Sequence, residues 1–316
     1  MEFSSFYPYR SAEARDSYLA YYDAMAKEWP VPSEERMAST SYAETFVRIA
    51  GPANAPPLVL LPGVLASSLM WTPNIKALSQ ACRVFAVDRP GDIGRSVCAK
   101  AVRNGDDLIA WLNELFDTLK LDRLNLAGVS FGGWLTALYA VHFPARVDKA
   151  VLIAPGETVV RFSIELLARI GLSAARIRTG PASLFHWMFK DLARTDPKEF
   201  SKVLDQLETA IRAIQPRNLL RTTVLKDSEL RKLPAATLFI VGENEVMYAV
   251  DKAVRRLQRV APHAKVEIVS GAGHDLTLVQ AETVNRLIVD FLTHGGEACR
   301  GAGRGLCGAS VRKLAT

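Results

Sequence analysis

No stretch of this chain approaches the ~18 consecutive apolar residues that a membrane-crossing helix needs. Near the start, Glu2, Arg10, Glu13, Arg15 and Asp16 break up the apolar core a signal peptide would require. Both absences point to a soluble, cytoplasmic protein without stable membrane association. Cysteine is sparse. The four residues, Cys82, Cys98, Cys299 and Cys307, form no CxxC pair and read as reduced and structural. The chain lacks GxxxxGKS/T, so a P-loop nucleotide site is not expected. Gly91-Asp92-Ile93-Gly94 follows a strand-like run but lacks GxGxxG, so it does not read as a dinucleotide loop. With no HExxH and no Cys/His cluster at ligand spacing, no metal or other cofactor is expected.

Net charge is +6, but Arg300, Arg304, Arg312 and Lys313 in the acid-free last 19 residues, from Ala298 on, account for most of it. The remaining body is nearly neutral, so nucleic acid is not an expected partner. Of the 316 residues 49% are hydrophobic and 23% charged, which excludes wholesale disorder and coiled coil. The length suits one full-sized core carrying an insertion, since single cores stop growing near ~250–300 residues. Oligomeric state is not legible.

Apolar positions at helical spacing over 11–27 place Tyr18, Leu19, Tyr22 and Met25 on one side of a helix that Pro30 and Pro32 end. Residues 44–50 alternate like a half-buried strand. From there, short apolar runs at 58–61, 84–87, 124–127, 150–153, 238–241 and 266–269 alternate with helix-like stretches at 72–79, 106–119, 133–142, 249–260 and 279–292. Runs of continuous apolar residues fit strands covered on both faces. The alternation predicts an α/β protein with a mostly parallel twisted sheet and helices on both sides. One interval, 157–230, breaks the rhythm and reads as helical throughout, with apolar clusters at Ile164-Leu166-Leu167-Ile170 and at 184–189. It is expected to be a helical cap over the carboxyl edge of the sheet, where open α/β sheets bind ligands. The expected organisation is an N-terminal helix and link over 1–40, a core over 41–156 and 231–294, the cap over 157–230, and a disordered Gly/Ala/Arg-rich tail over 295–316.

Gly128-Val129-Ser130-Phe131-Gly132 follows one strand-like run and precedes a helix-like stretch. GxSxG in that context forms a sharp turn that exposes the serine, and the flanking glycines let strand and helix pass closely. A serine hydroxyl is a weak nucleophile and needs a base oriented by a third group. Of the five histidines, His142 ends a helix, His186 lies among cap aromatics, His263 follows a proline in a turn, and His294 opens the tail. His274, in Ser270-Gly271-Ala272-Gly273-His274 after the last strand, shares the edge of Ser130 and is the candidate base. Glu245, in Gly242-Glu243-Asn244-Glu245, is the candidate acid, with Glu157 and Glu243 as alternatives. The backbone N–H groups of Phe131 and Val64 are the candidate oxyanion donors, with Leu65 second to Val64. Leu65, Phe185, Trp187 and Met188 are weaker candidates for substrate contact, since ligand pockets are mostly apolar.

At these motifs, over roughly residues 40–293, the chain resembles the α/β-hydrolase superfamily, and within it bacterial carboxylesterase-like serine hydrolases with a helical cap. The matching stretches are Leu60-Leu61-Pro62-Gly63, the helix at Trp71, residues 87–96, 128–133, 242–245 and 271–274. Three departures stand out. Pro62-Gly63 replaces a usual His-Gly, the 88–96 loop reads DxxGxxGxS rather than DxxGxGxS, and the acid is Glu instead of Asp. The longer loop makes Asp88 a turn-holding carboxylate. Haloalkane dehalogenases and epoxide hydrolases carry Asp where this chain has Ser130, so the resemblance implies neither. It implies a hydrolase that cleaves a small-to-medium hydrophobic carboxylic ester through an acyl-enzyme on Ser130, His274 and Glu245. The alternatives are acyl transfer or perhydrolysis on the same three residues, or a small-molecule-binding protein on an inactive scaffold.

Overall fold

The computed structural model describes residues 7–175, 182–215, 220–294 and 311–314. Its strands are β1 (Glu34–Ser39), β2 (Ala43–Ala50), β3 (Pro57–Leu61), β4 (Arg83–Val87), β5 (Val97–Cys98), β6 (Leu124–Val129), β7 (Val147–Ile153), β8 (Thr237–Gly242), β9 (Lys265–Val269) and β10 (Val311–Leu314). They form one sheet in the order β1-β2-β4-β3-β6-β7-β8-β9-β10, with β5 paired to β2. Pairing is antiparallel from β1 to β4 and parallel from β4 to β10.

The helices are α1 (Ala12–Ala26), α2 (Thr72–Ala81), α3 (Gly105–Thr118), α4 (Phe131–His142), α5 (Ile164–Ala175), α6 (Ala182–Met188), α7 (Lys190–Thr195), α8 (Pro197–Ala213), α9 (Asp227–Leu230), α10 (Val250–Val260), α11 (Leu276–Val279) and α12 (Ala281–His294). Alternate residues of each parallel strand enter different cores. Val59, Leu61, Leu126, Leu152 and Phe239 pack with Trp111 of α3, Leu135 of α4 and Leu257 of α10. Leu58, Leu60, Val129, Val151 and Ile240 pack with Ile75 of α2 and Ile288 of α12. Burial on both faces is why these strands read as largely apolar runs.

Local sequence signals set the ends and faces of several helices. Asn104 caps α3 by accepting the Asp107 N–H at 2.9 Å, and Asp196 caps α8 ahead of Pro197 by accepting the Glu199 N–H at 3.0 Å. Tyr18 and Tyr22 are the buried face of α1. The segment preceding α1 is bound to the far end of α8, because Arg10 donates its backbone N–H to Ala213 and its Nε to Ile214 O, each at 2.8 Å.

The structure differs from the sequence reading at four places. The stretch expected to be a link includes β1, an edge strand whose polar sequence, Glu34-Glu35-Arg36-Met37, carries no apolar alternation because most of it faces solvent. β2 is buried along nearly its whole length rather than on one face, since β1 and β4 flank it and helices cover it. In the tail expected to be disordered, Val311–Leu314 is a strand parallel to β9; residues 295–310, with Cys299 and Cys307, lie outside the described residues. The interval 157–230 is not helical throughout, because 157–163 and 220–226 are irregular. Within α5, Leu166 is buried, whereas Ile164, Leu167 and Ile170 are exposed. Cys82 and Cys98 are free and buried, and burial pushes each thiol up to about 11.

Candidate active site

Ser130 stands between the end of β6 and the start of α4. Its backbone has φ 54° and ψ −115°, a conformation a side-chain-bearing residue adopts only when its surroundings hold it there. Three bonds do so. The Ser130 N–H donates to Ile153 O at 2.9 Å, and Ser130 O accepts from Trp134 N and Gly156 N, each at 3.0 Å. A Cβ on Gly128 would lie 2.2 Å from Gly132 O, and one on Gly132 would lie 2.2 Å from Leu61 O. Only glycine allows β3, β6 and α4 to come that close.

The loops after β8 and β9 meet above this turn, tied by Glu243 N to Val269 O and Asn244 N to Ala272 O, both 2.9 Å. His274 Nδ1 lies 2.8 Å from Glu245 Oε2, and His274 Nε2 lies 3.0 Å from Ser130 Oγ. An ionised carboxylate only accepts, so Nδ1 carries the proton and Nε2 is free to accept from the serine hydroxyl. Burial disfavours the imidazolium, but Glu245 outweighs it, with Asp275 adding to the effect, and the net shift of His274 is upward. Of the alternative acids, Glu243 is ion-paired with Lys313, and among the described residues no hydrogen bond or ion pair joins Glu157 to His274. Asp88 accepts N–H bonds from Ser68 and Arg95, which suits a carboxylate that holds a turn.

The other histidines have separate partners. His142 Nδ1 lies 2.8 Å from Leu138 O, and His186 packs edge-on against Phe200. His263 is half-buried against Leu233 O rather than exposed, and His294 is bonded to Thr293.

Val64 lies in the loop after β3, and Phe131 opens α4 directly after Ser130. Among the described residues, no acceptor takes either backbone N–H. The neighbouring donors are already engaged, with Gly63 N directed at Met70 Sδ at 3.2 Å and Leu65 N at Asp92 Oδ2 at 3.0 Å. Leu65 is therefore unavailable as an oxyanion donor.

A cavity of about 140 Å³ opens onto Ser130 and His274. Leu65, Phe185 and Met188 line it, whereas Trp187 is not among its lining residues and its ring lies under the Arg169 guanidinium. The sequence reading missed Met70, Val203, Gln206, Leu207, Thr277 and Leu278, while Phe189 belongs to the 184–189 aromatic cluster that it marks as partly substrate-facing. Val203, Gln206 and Leu207 share one face of α8 at i, i+3 and i+4 spacing, a visible signal, but nothing in the sequence shows which face meets Ser130. A wider groove of about 660 Å³ between β2 and α2 holds no nucleophile beside a base. Among the described residues, no group of His, Cys, Asp and Glu could hold a metal ion, and no helix is long and apolar enough to cross a membrane.

Residues 58–287 match the alpha/beta hydrolase family. The chain is 34% identical to the carboxylesterase YbfK of Bacillus subtilis over 277 residues, covering 87% of this chain and 93% of the relative. It is 32% identical to a second B. subtilis protein, the uncharacterized carboxylesterase nap, over 88% of this chain and 94% of that one. The crystal structure of naproxen esterase from B. subtilis superposes with a TM-score of 0.80 at 31% identity, covering 90% of this chain and 99% of that one.

Proposed function

From the premise that the chain belongs to the alpha/beta hydrolase family and is an enzyme acting on ester bonds, we propose that it works as a serine carboxylesterase with Ser130 as nucleophile. The observation that carries this reading is the continuous line from Ser130 Oγ through His274 to Glu245, with spacings of 3.0 and 2.8 Å.

Ser130 Oγ attacks the ester carbonyl while His274 Nε2 takes its proton. Glu245 holds the imidazole by accepting from Nδ1 and stabilises the imidazolium that forms. The carbonyl oxygen, now negative, accepts the N–H groups of Phe131 and Val64. Each such donor typically contributes ~10²–10³ in rate. His274 returns its proton to the leaving alcohol, and the acyl group stays on Ser130. Water, deprotonated by His274, then releases the carboxylic acid.

The apolar lining and small volume of the cavity favour a small-to-medium hydrophobic ester. Gln206 is the one side-chain amide in that lining and suits a polar atom on an otherwise apolar substrate. The relative named as a naproxen esterase is in keeping with an apolar acyl group.

The test is a fluorophosphonate probe read by intact mass on wild type and Ser130→Ala. A single adduct on wild type alone is expected, with Ser130→Ala also losing at least ~10⁴-fold in ester turnover. A Ser130→Ala protein that keeps most of its turnover overturns the reading.

A further inference from the structure

The two oxyanion donors belong to different parts of the chain. Val64 lies in the loop after β3, and Phe131 opens α4. A hole made from two elements needs something to fix one against the other, because donors stabilise an oxyanion only when they are preorganised. We propose that Asp92 and Arg89 supply this as positioning residues, linking the two halves of the oxyanion hole from behind; the inference rests on the hydrolase reading above.

On one side, Asp92 Oδ2 accepts the Leu65 N–H at 3.0 Å. That bond holds the peptide joining Val64 to Leu65. It also holds Leu65 at φ 57°, a left-handed conformation that leucine does not adopt unassisted. On the other side, the Arg89 guanidinium is ion-paired with the same Asp92 oxygen and lies 4.2 Å from the centroid of the Phe131 ring. The result is an unbroken path of contacts, Leu65 to Asp92 to Arg89 to Phe131. Asp92 is additionally fixed by accepting the Ile93 N–H through Oδ1 at 2.8 Å.

Burial argues for a positional role. Arg89 and Asp92 are each only 2% exposed. Nε and Nη1 of Arg89 have no hydrogen-bond partner among the described residues. A buried guanidinium with two unsatisfied nitrogens is a poor device for stability, and an apolar pair of the same volume would cost less. What this pair provides is a rigid, charged bridge. It lies in the 88–96 loop, whose spacing exceeds the family pattern by one residue.

The test compares Asp92→Ala, Asp92→Asn and the neutral double variant Arg89→Met/Asp92→Asn with wild type. Each is assayed on 4-nitrophenyl butyrate, for inhibition by an alkyl trifluoromethyl ketone, which forms an oxyanion on Ser130, and for thermal stability. Asp92→Ala is expected to lower kcat ~10²-fold with KM within ~3-fold, and to weaken the ketone in step with kcat/KM. The acid limb of its pH profile should stay where wild type has it, since His274 and Glu245 are untouched. Asp92→Asn retains an acceptor for Leu65 and should recover most of the loss. Should Asp92→Ala fail to fold, the double variant decides. It keeps that acceptor and removes the guanidinium from Phe131, and is expected to lose ~10-fold in kcat. Wild-type kcat in a folded Asp92→Ala, or in the double variant, overturns the inference, as does a loss confined to KM. A wild-type protein that forms no fluorophosphonate adduct would instead remove the hydrolase reading beneath it.

Discussion

Glu245 divides its carboxylate between His274 and its own loop. Oε2 lies 2.8 Å from His274 Nδ1, while Oε1 accepts the N–H groups of Val246 and Met247 at 2.9 Å each. The backbone thereby fixes the rotamer of a side chain longer than the usual Asp, and the oxygen facing His274 is left with a single task.

Glu245→Gln should keep these backbone contacts in part but present the wrong partner to Nδ1–H. A fall in kcat of ~10³–10⁴ is expected, with little change in folding. Glu157→Gln should stay near wild type, because among the described residues Glu157 is neither hydrogen-bonded nor ion-paired to His274. Steady-state hydrolysis of one ester by both variants checks the assignment. A severe Glu157→Gln and a mild Glu245→Gln would reverse the acid.

The raised His274 pKa fixes the sign of two pH effects. The base works only when neutral, so kcat/KM should rise with pH through a midpoint above the ordinary 6.5. In Glu245→Gln the midpoint should move down. Stability runs the other way. The folded state favours the protonated ring, so the contribution of His274 is full below about 6.5 and is lost as pH rises through the raised value. A pH–rate profile, set beside thermal melts of wild type and His274→Ala, reads both.

Met188 and Phe189 line the cavity and Trp187, between them and the core in sequence, does not. Met188→Ala and Phe189→Ala should each shift preference toward longer acyl chains, changing the octanoate-to-acetate ratio of kcat/KM by ~10-fold or more. Trp187→Ala should leave that ratio in place. The measurement is a series of 4-nitrophenyl esters, and a shift in Trp187→Ala equal to the others would show that the wall has been misassigned.

Asp275 anchors α7 to the His274 loop. It accepts the Leu192 N–H at 2.8 Å and the Gly273 N–H at 3.1 Å, while Asn244 reaches Asp191 on the same helix. Asp275→Ala leaves both donors buried without an acceptor and should destabilise the protein by ~2–4 kcal/mol. Urea unfolding measures this, and hydrogen exchange should show faster opening at Leu192. An unchanged exchange rate there would mean that α7 is held by other contacts.

Strand and helix periods carried most of the architecture. Each of the six apolar runs between 58 and 269 lies in a parallel strand, because strands covered on both faces are apolar at most positions, Asn125 and Glu267 being the buried polar exceptions in these runs. β1 was not visible, since an edge strand that faces water needs no apolar alternation. The single helix read over 279–292 is broken at Gln280 into α11 and α12, a boundary no proline or glycine marks.

By itself the sequence determined that Ser130, Glu245 and His274 each follow a strand. The direction of a parallel sheet then brings all three to one edge. It also determined the glycines at the serine turn, because no other residue fits where backbones pass so closely. Only the tertiary structure decided the rest. Which carboxylate stands beside His274 is set by packing, and it is Glu245 Oε2 that lies 2.8 Å from Nδ1. The loss of Leu65 as a donor follows from Asp92, which arrives from another loop. Trp187 was excluded and Phe189 included because packing against α5, α8 and α11 sets which side of α6 and α7 turns to the cavity. Local periodicity specifies which residues share a face, whereas packing against the remainder of the chain specifies what that face meets.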